Sequence, residues 1–321
     1  MYTIGIDLGG TNIAAGVVNE QYQLVGKASV KTALPRPAED VADAIKEAAL
    51  LALSDAGLTL DDMENIDSVG IGTPGAVNND GVVEFSGNLG FVNVPLRDMV
   101  EEHIGKKTCI ANDANAAALG EALAGCGNGV KDFIAVTLGT GVGGGIIVGG
   151  KLLTGVNGAA GEVGHMILQM GGEHCQCGSD GCFEQYASAT ALIRQTKDAL
   201  IRDFGKKSAM WDLIDGALEN VDGKTSYQAA RAGDELALKV VDQFTEYLAV
   251  GVANLINIFQ PEVLCIGGGI SKEGDYLIKP LTEKVNTMRF AKTAKQQTRI
   301  VPATLGNDAG IIGAALLNTQ N

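Results

Sequence analysis

The chain twice runs a strand into a glycine-threonine turn and straight back out as a second strand. Tyr2–Asp7 reads as a buried strand, Leu8–Asn12 as a tight turn and Ile13–Val18 as the returning strand. Phe133–Leu138, Gly139-Thr140-Gly141 and Gly145–Val148 repeat that pattern. Helical segments follow each copy, so the chain reads as two similar α/β halves with a cleft between them. Its 321 residues suit two domains, each of about 100–200 residues. The expected limits are residues 1–118 for a small first domain and 119–306 for a larger second one, with 307–321 returning to the first. No Ser/Pro/Gly-rich linker separates them.

The intervening segments fit this plan. Glu39–Ala56 carries Val41, Ala44, Ile45, Ala48 and Ala52 at helical spacing and stops at Gly57. Ser68–Gly72 is a short strand ending in the loop Gly72-Thr73-Pro74-Gly75. Thr108–Ala111 is another, running through Asn112-Asp113 into the helix Ala114–Ala124. Leu236–Phe259 is a long apolar helix ended by Pro261, Val263–Ile266 a strand into Gly267-Gly268-Gly269, and Ala309–Leu317 a closing helix.

Composition excludes some classes of function. A net charge of −14 repels nucleic acid and anionic membrane alike. The longest apolar stretch, Phe133 to Val148, is broken by glycines and two threonines, so no segment reads as a bilayer span. Met1 leads directly into a strand without the basic and apolar regions of a secretory leader, and the expected location is the cytoplasm.

His165, Cys175, Cys177 and Cys182 supply one imidazole and three thiols, the set that closes a tetrahedral structural Zn2+ site. A disulfide with one thiol left over would need an oxidising compartment. His174 is a rival fourth ligand, although a His directly beside Cys175 converges poorly on the same ion. Cys109, Cys126 and Cys265 lie in apolar surroundings and read as structural thiols.

The two glycine turns read as phosphate cradles. In Asp7-Leu8-Gly9-Gly10-Thr11-Asn12 the glycines free backbone N–H groups for an anion, Thr11 adds a hydroxyl, and Asp7 suits a hydrated Mg2+. Gly139-Thr140-Gly141 offers the same, while Gly268 and Gly269 end a strand where a nucleotide base and ribose can lie on bare backbone. Neither Walker spacing nor a Gly-x-Gly-x-x-Gly opening a βαβ unit occurs. Asp113 falls where a helix N-cap is expected. Beside phosphate turns it reads further, as the base that takes a proton from a substrate hydroxyl. Glu162, His165 and Glu184 flank the cysteine segment, and such acceptors suit a sugar, whose buried hydroxyls each need a partner. Asn88 sits between glycines and reads first as a turn residue.

Together these segments resemble the ROK family of bacterial sugar kinases and repressors over essentially the whole chain. The resemblance rests on Asp7–Asn12, Gly72–Gly75, Asn112–Asn115, Leu138–Gly145, Gly158–His165 and Cys175–Glu184. Within the family, Glu84–Phe91 and the glycine run after Leu138 look most like the glucokinases. It implies an actin-like ATPase (ribonuclease H-like) fold, with ATP and a hexose as ligands and a homodimer or tetramer as assembly. By position, Asp113 looks like the family's general base. Asn88, Asn112, Glu162, His165 and Glu184 look like its sugar contacts, Thr11 and Thr140 like phosphate ligands, and Gly268 and Gly269 like its nucleotide shelf. The implied reaction is phosphorylation of the 6-hydroxyl of an aldohexose, with glucose expected first. N-acetylglucosamine, N-acetylmannosamine, mannose, fructose or allose are alternative substrates. A sugar-sensing regulator and an ATP-driven chaperone or filament protein are the competing classes.

Overall fold

The computed structural model describes residues 1–320. Two compact units result, Met1–Ala135 with Gly144–Gly161 and Thr304–Asn321, and Val136–Gly143 with Glu162–Ala303.

The first unit is built on a sheet of β1 (Tyr2–Leu8), β2 (Asn12–Asn19), β3 (Leu24–Lys31), β4 (Ile66–Thr73) and β8 (Thr108–Asn112), in the order β3-β2-β1-β4-β8. Strands β1, β2 and β3 pair antiparallel, whereas β4 and β8 join in parallel. Helix α1 (Ala38–Asp55) crosses from β3 towards β4 and buries Val41, Ala44, Ile45, Ala48 and Ala52, the residues that set its periodicity. A small sheet of β5 (Ala76–Val77), β6 (Val83–Ser86) and β7 (Phe91–Val94) leads into α2 (Leu96–Ile104), which ends on Gly105 in the left-handed region. Helix α3 (Asp113–Leu123) follows β8 directly.

Strands β9 (Phe133–Leu138), β10 (Val142–Val148) and β11 (Lys151–Leu152) begin a second five-stranded sheet, ordered β11-β10-β9-β12-β13. Its remaining strands, β12 (Val263–Gly268) and β13 (Arg299–Pro302), are parallel. The second unit also holds α4 (Glu184–Ala187), α5 (Ala189–Ile201), α6 (Met210–Leu213), α7 (Thr225–Arg231), α8 (Glu235–Phe259) and α9 (Asp275–Met288). Asp234 caps α8 by accepting from the Ala237 amide, and Gln260 ends it in the left-handed region just before Pro261. Among the described residues no helix is long and apolar enough to cross a membrane.

Helix α10 (Ala309–Ala315) closes the first unit by lying almost on the sheet backbone. A Cβ on Gly5 would come within 1.9 Å of the Ile311 carbonyl oxygen, and one on Gly70 within 1.7 Å of that of Ala314. Neither neighbour is a side chain that can swing away. Gly70→Ala should therefore destabilise the protein by about 3 kcal/mol, the upper end of overpacking costs, as read from the midpoint of urea unfolding. The point where the chain re-enters this unit is held by Glu121, only 3% exposed, which accepts from the amides of Thr304, Leu305 and Cys126.

Several expected boundaries move. Strand β10 starts at Val142, not Gly145, because its glycines serve packing and not a turn. A Cβ on Gly145 would sit 2.3 Å from the Ala118 Cβ on α3. The closing helix ends at Ala315 and finishes as a 3-10 turn, Leu317–Gln320. Strand β3, the small β5–β7 sheet and α2 carry too little periodicity to be read beforehand.

Candidate functional site

In the first unit, strand register brings the acidic residues to one end of the sheet. Asp7 pairs with Gly72 across β1–β4, and Gly72 and Thr73 pair with Ala111 and Asn112 across β4–β8. Asp7 and the β8–α3 junction thus lie two strand spacings apart, about 10 Å. The turn after Asp7 closes with the Gly9 amide donating to the Asn12 carbonyl at 2.9 Å. Thr32, wholly buried and directly after β3, clamps it: its amide donates to the Thr11 carbonyl and its hydroxyl to the Gly9 carbonyl at 2.6 Å. No sequence signal marked Thr32. The turn keeps Thr11 and Asn12 exposed. Asn88 lies against it, since a Cβ on Gly10 would approach the Asn88 carbonyl oxygen to 3.3 Å.

At the α3 junction the cap is Asn112, not Asp113. Asn112 Oδ1 accepts from the amides of Ala114 and Asn115, and its Nδ2 donates to the Gly75 carbonyl at 3.2 Å. Asn112 therefore braces the Gly72–Gly75 loop against the helix, and its other N–H serves the Asp113 carboxylate. Asp113 moves into the first turn, where its Oδ1 accepts from Ala114 at 2.8 Å. Its side chain is accessible to solvent, yet enough protein surrounds the carboxyl for desolvation to push its pKa above the usual value, against the bonds from Ala114 and Asn112. Burial, then the charge of Asp113, raises Asp7 in the same direction, and Lys27 opposes them. Lys27 is itself ion-paired with Asp308.

The second unit gathers the remaining residues. Phe183 and Leu168 bond back to Met166 and Gly181, and short bridges Ile167–Cys182 and His174–Asp180 fold the cysteine segment into a tight double loop. The ligand atoms of His165, Cys175, Cys177 and Cys182 all lie within 4.8 Å of one another. Cys177 and Cys182 Sγ are 3.5 Å apart, and Cys175 Sγ is 3.7 Å from His165 Nδ1. A tetrahedron with Zn–S bonds of about 2.3 Å has edges of about 3.8 Å, so these two spacings lie close to those of a zinc site, and the Cys177–Cys182 separation is far too long for a disulfide. His174 turns away to Asp180 at 2.9 Å with its side chain 76% exposed, which leaves His165 as the imidazole of the cluster.

His165 presents Nδ1 to the thiols and Nε2 to Glu162, 4.0 Å from its carboxylate. Glu184 Oε1 accepts from the Cys175 thiol at 3.1 Å. Its Oε2 occupies the space a Cβ on Gly141 would need, at 2.5 Å. The Gly139-Thr140-Gly141 turn is tied to α5 by the Ala189 amide, which donates to the Gly139 carbonyl. Gly268, with φ +83, packs on Leu138 so closely that a Cβ would lie 2.2 Å from its carbonyl oxygen. Gly268 thus adjoins the base of the Gly139–Gly141 turn. Gly141→Ala should push the Glu184 carboxylate aside: because that is the flexible end of a side chain, little change in Tm but a higher KM for sugar is expected in steady-state assays.

Comparison with known proteins identifies the family of the chain. The ROK family matches over residues 3–321. A glucokinase of Thermotoga maritima is 41% identical over 319 residues, covering 97% of this chain and 95% of its own. A glucokinase of Streptomyces coelicolor is 38% identical, covering 98% and 96%. The crystal structure of a ROK glucokinase from Streptomyces griseus in complex with glucose and AMPPNP superposes with a TM-score of 0.82 at 38% identity, covering both chains fully. Duplicated sheets, glycine turns and the cysteine-histidine loop all fall inside the matched region, and the chain belongs to the ROK family, with its two-domain actin-like ATPase fold.

Proposed function

We propose that the protein is an ATP-dependent hexokinase that phosphorylates the 6-hydroxyl of glucose. The observation that carries this reading is Asp113. It is a carboxylate of raised pKa at the start of α3, with Asp7 and its glycine turn one intervening strand away. A base for a sugar hydroxyl must be accessible and poised above an ordinary carboxylate, and Asp113 meets both conditions. Asp113 takes the proton of the 6-hydroxyl as that oxygen attacks the terminal phosphoryl group. Thr11 and the Gly10 amide, with Asn12 at their edge, orient phosphate oxygens, as do Thr140 and the Gly141 amide, while the Gly9 and Gly139 amides close their turns on the carbonyls of Asn12 and Gly141. Gly268 and Gly269 support the nucleoside. Asp7 holds the hydrated Mg2+, which when bound screens the phosphate charge.

Asn88, Asn112, Glu162, His165 Nε2 and Glu184 bond the other sugar hydroxyls. Zn2+ on His165, Cys175, Cys177 and Cys182 holds the loop that carries Glu162 and Glu184, and fixes which face of His165 meets the sugar. The enzyme works in the cytoplasm as a homodimer. The test is ADP release from magnesium-ATP with glucose, mannose, fructose, N-acetylglucosamine, N-acetylmannosamine and allose. Selective turnover of glucose is expected, and no turnover with any of them by zinc-replete protein would sink the reading.

A further inference from the structure

The first glycine turn does not close as a two-residue hairpin ordinarily does. Its Gly9 amide donates to the Asn12 carbonyl, but among the described residues the reciprocal bond, from the Asn12 amide to the Gly9 carbonyl, is absent. The Gly9 carbonyl goes instead to the hydroxyl of the wholly buried Thr32 at 2.6 Å. The Thr32 amide extends the β2–β3 ladder by one step, donating to the Thr11 carbonyl at 3.0 Å. One residue from outside the turn thus holds two of its carbonyls.

A trans peptide is flat, and its C=O and N–H point opposite ways. Strand alternation fixes the two faces of the sheet. A Cβ on Gly26 would meet the Ala52 carbonyl of α1 at 2.5 Å, so Ala28, Val30 and Thr32, at even steps from it, turn to the α1 face. Asp7 turns to the other face, its carboxyl carbon 3.3 Å from where a Cβ on Gly310 of α10 would stand. Because the Thr32 hydroxyl draws the Gly9 carbonyl to the α1 face, the Gly10 N–H points to the Asp7 face. The Thr11 carbonyl is held towards β3, so the Asn12 N–H points the other way, towards β1. Neither amide has a partner among the described residues, and Thr11 and Asn12 are exposed. Two free amides with the Thr11 hydroxyl between them form a concavity of the kind that binds anions.

We propose that Thr32 is a positioning residue for the phosphoryl donor: by holding the Gly9 carbonyl it turns the Gly10 amide to the Asp7 face and frees the Asn12 amide, so that both meet phosphate oxygens of magnesium-ATP. Without the hydroxyl, the Gly9 carbonyl would be left buried without a donor. It then turns back to the Asn12 amide, the Gly9–Gly10 plane rotates with it, and both donors are lost to the phosphate. The proposal rests on the kinase reading and adds to it a residue that touches no ligand.

The experiment compares Thr32→Val, which keeps the shape and loses the hydroxyl, with Thr32→Ser, which keeps the hydroxyl. Thr196→Val is the control, since Thr196 is equally buried and its hydroxyl also donates to a carbonyl, that of Leu192 within α5 at 2.7 Å. The readouts are steady-state kinetics with glucose and calorimetric titration with magnesium-AMPPNP. Thr32→Val should raise the KM for magnesium-ATP about tenfold, as misaimed charge-assisted bonds would, and leave that for glucose within about twofold. AMPPNP binding should weaken by the same factor as the ATP KM rises. Thr32→Ser should stay close to wild type, and Thr196→Val should lower Tm without moving either KM. An unchanged KM for magnesium-ATP in Thr32→Val, a rise of both KM values together, or a serine variant as impaired as valine overturns the proposal and leaves the kinase reading intact. A wild-type protein that binds AMPPNP but turns over no sugar sinks the kinase reading, and the titration of Thr32→Val then decides for or against the clamp alone. Absence of nucleotide binding by the wild-type protein overturns both.

Discussion

Asp113→Asn is expected to lower kcat for glucose about a thousandfold, within the range of about 10²–10⁴ for removal of a general base. It should at the same time raise Tm at pH 7.5. Both effects have one origin. The folded protein surrounds the Asp113 carboxyl closely enough to raise its pKa, so the ionised form needed for catalysis is the one the fold disfavours. A carboxyl raised on folding contributes stability that is complete below the unfolded pKa of about 3.9 and is lost as pH rises through the folded value. Asparagine avoids that loss, and its Oδ1 can still accept the Ala114 amide. The Tm advantage of the variant should accordingly shrink as pH falls towards 4. Wild-type kcat/KM should decline on its acid side above the pH at which an ordinary carboxylate titrates, and the residual activity of Asp113→Asn should lack that limb. A variant with near-normal kcat would move the base elsewhere, with Asp7 the nearest carboxylate in register.

How much of this could be read from residues alone varied with the physics of each element. The paired hairpins were legible because a strand, a Gly-Thr turn and a strand follow each other within a few residues, and local order of that kind survives tertiary folding. Helix α1 was legible from its buried alanines and valine. The glycines of β10 misled, since a glycine that admits α3 at 2.3 Å is written the same way as one that turns a chain. Asp113 was assigned to the cap because Asp and Asn are both good caps and stand side by side. What distinguishes them is that Asn112 Oδ1 reaches the amides of both Ala114 and Asn115, whereas Asp113 lies within the first turn. Thr32, the clamp of the first glycine turn, was invisible. It depends on the antiparallel β2–β3 register, which leaves no trace in a periodic reading.

The choice of His165 over His174 shows why the metal loop is the more demanding test. Stripping zinc with a strong chelator is expected to remove one ion per chain and to raise the KM for glucose by about 10–100-fold, the usual consequence of disturbing a ligand and its supporting contacts. The reason is the sharing of side chains. His165 turns Nδ1 to the thiols and Nε2 to Glu162, and Glu184 lies against Cys175, whose deprotonation on binding the ion frees one carboxylate oxygen, while the other fills the space beside Gly141. Without the ion, two buried thiols and an imidazole lose their common centre, and both carboxylates lose the loop that aims them. The effect on kcat should be smaller, because Asp113 sits on α3 in the other unit. Cys182→Ser should reproduce the loss with zinc present and add a drop in Tm, since a buried hydroxyl binds the ion poorly. His174→Ala should change neither zinc content nor KM, its ring being committed to Asp180 at the surface. Metal analysis together with glucose kinetics on these two variants separates the ligands: retention of zinc by Cys182→Ser, or its loss from His174→Ala, would assign the cluster wrongly.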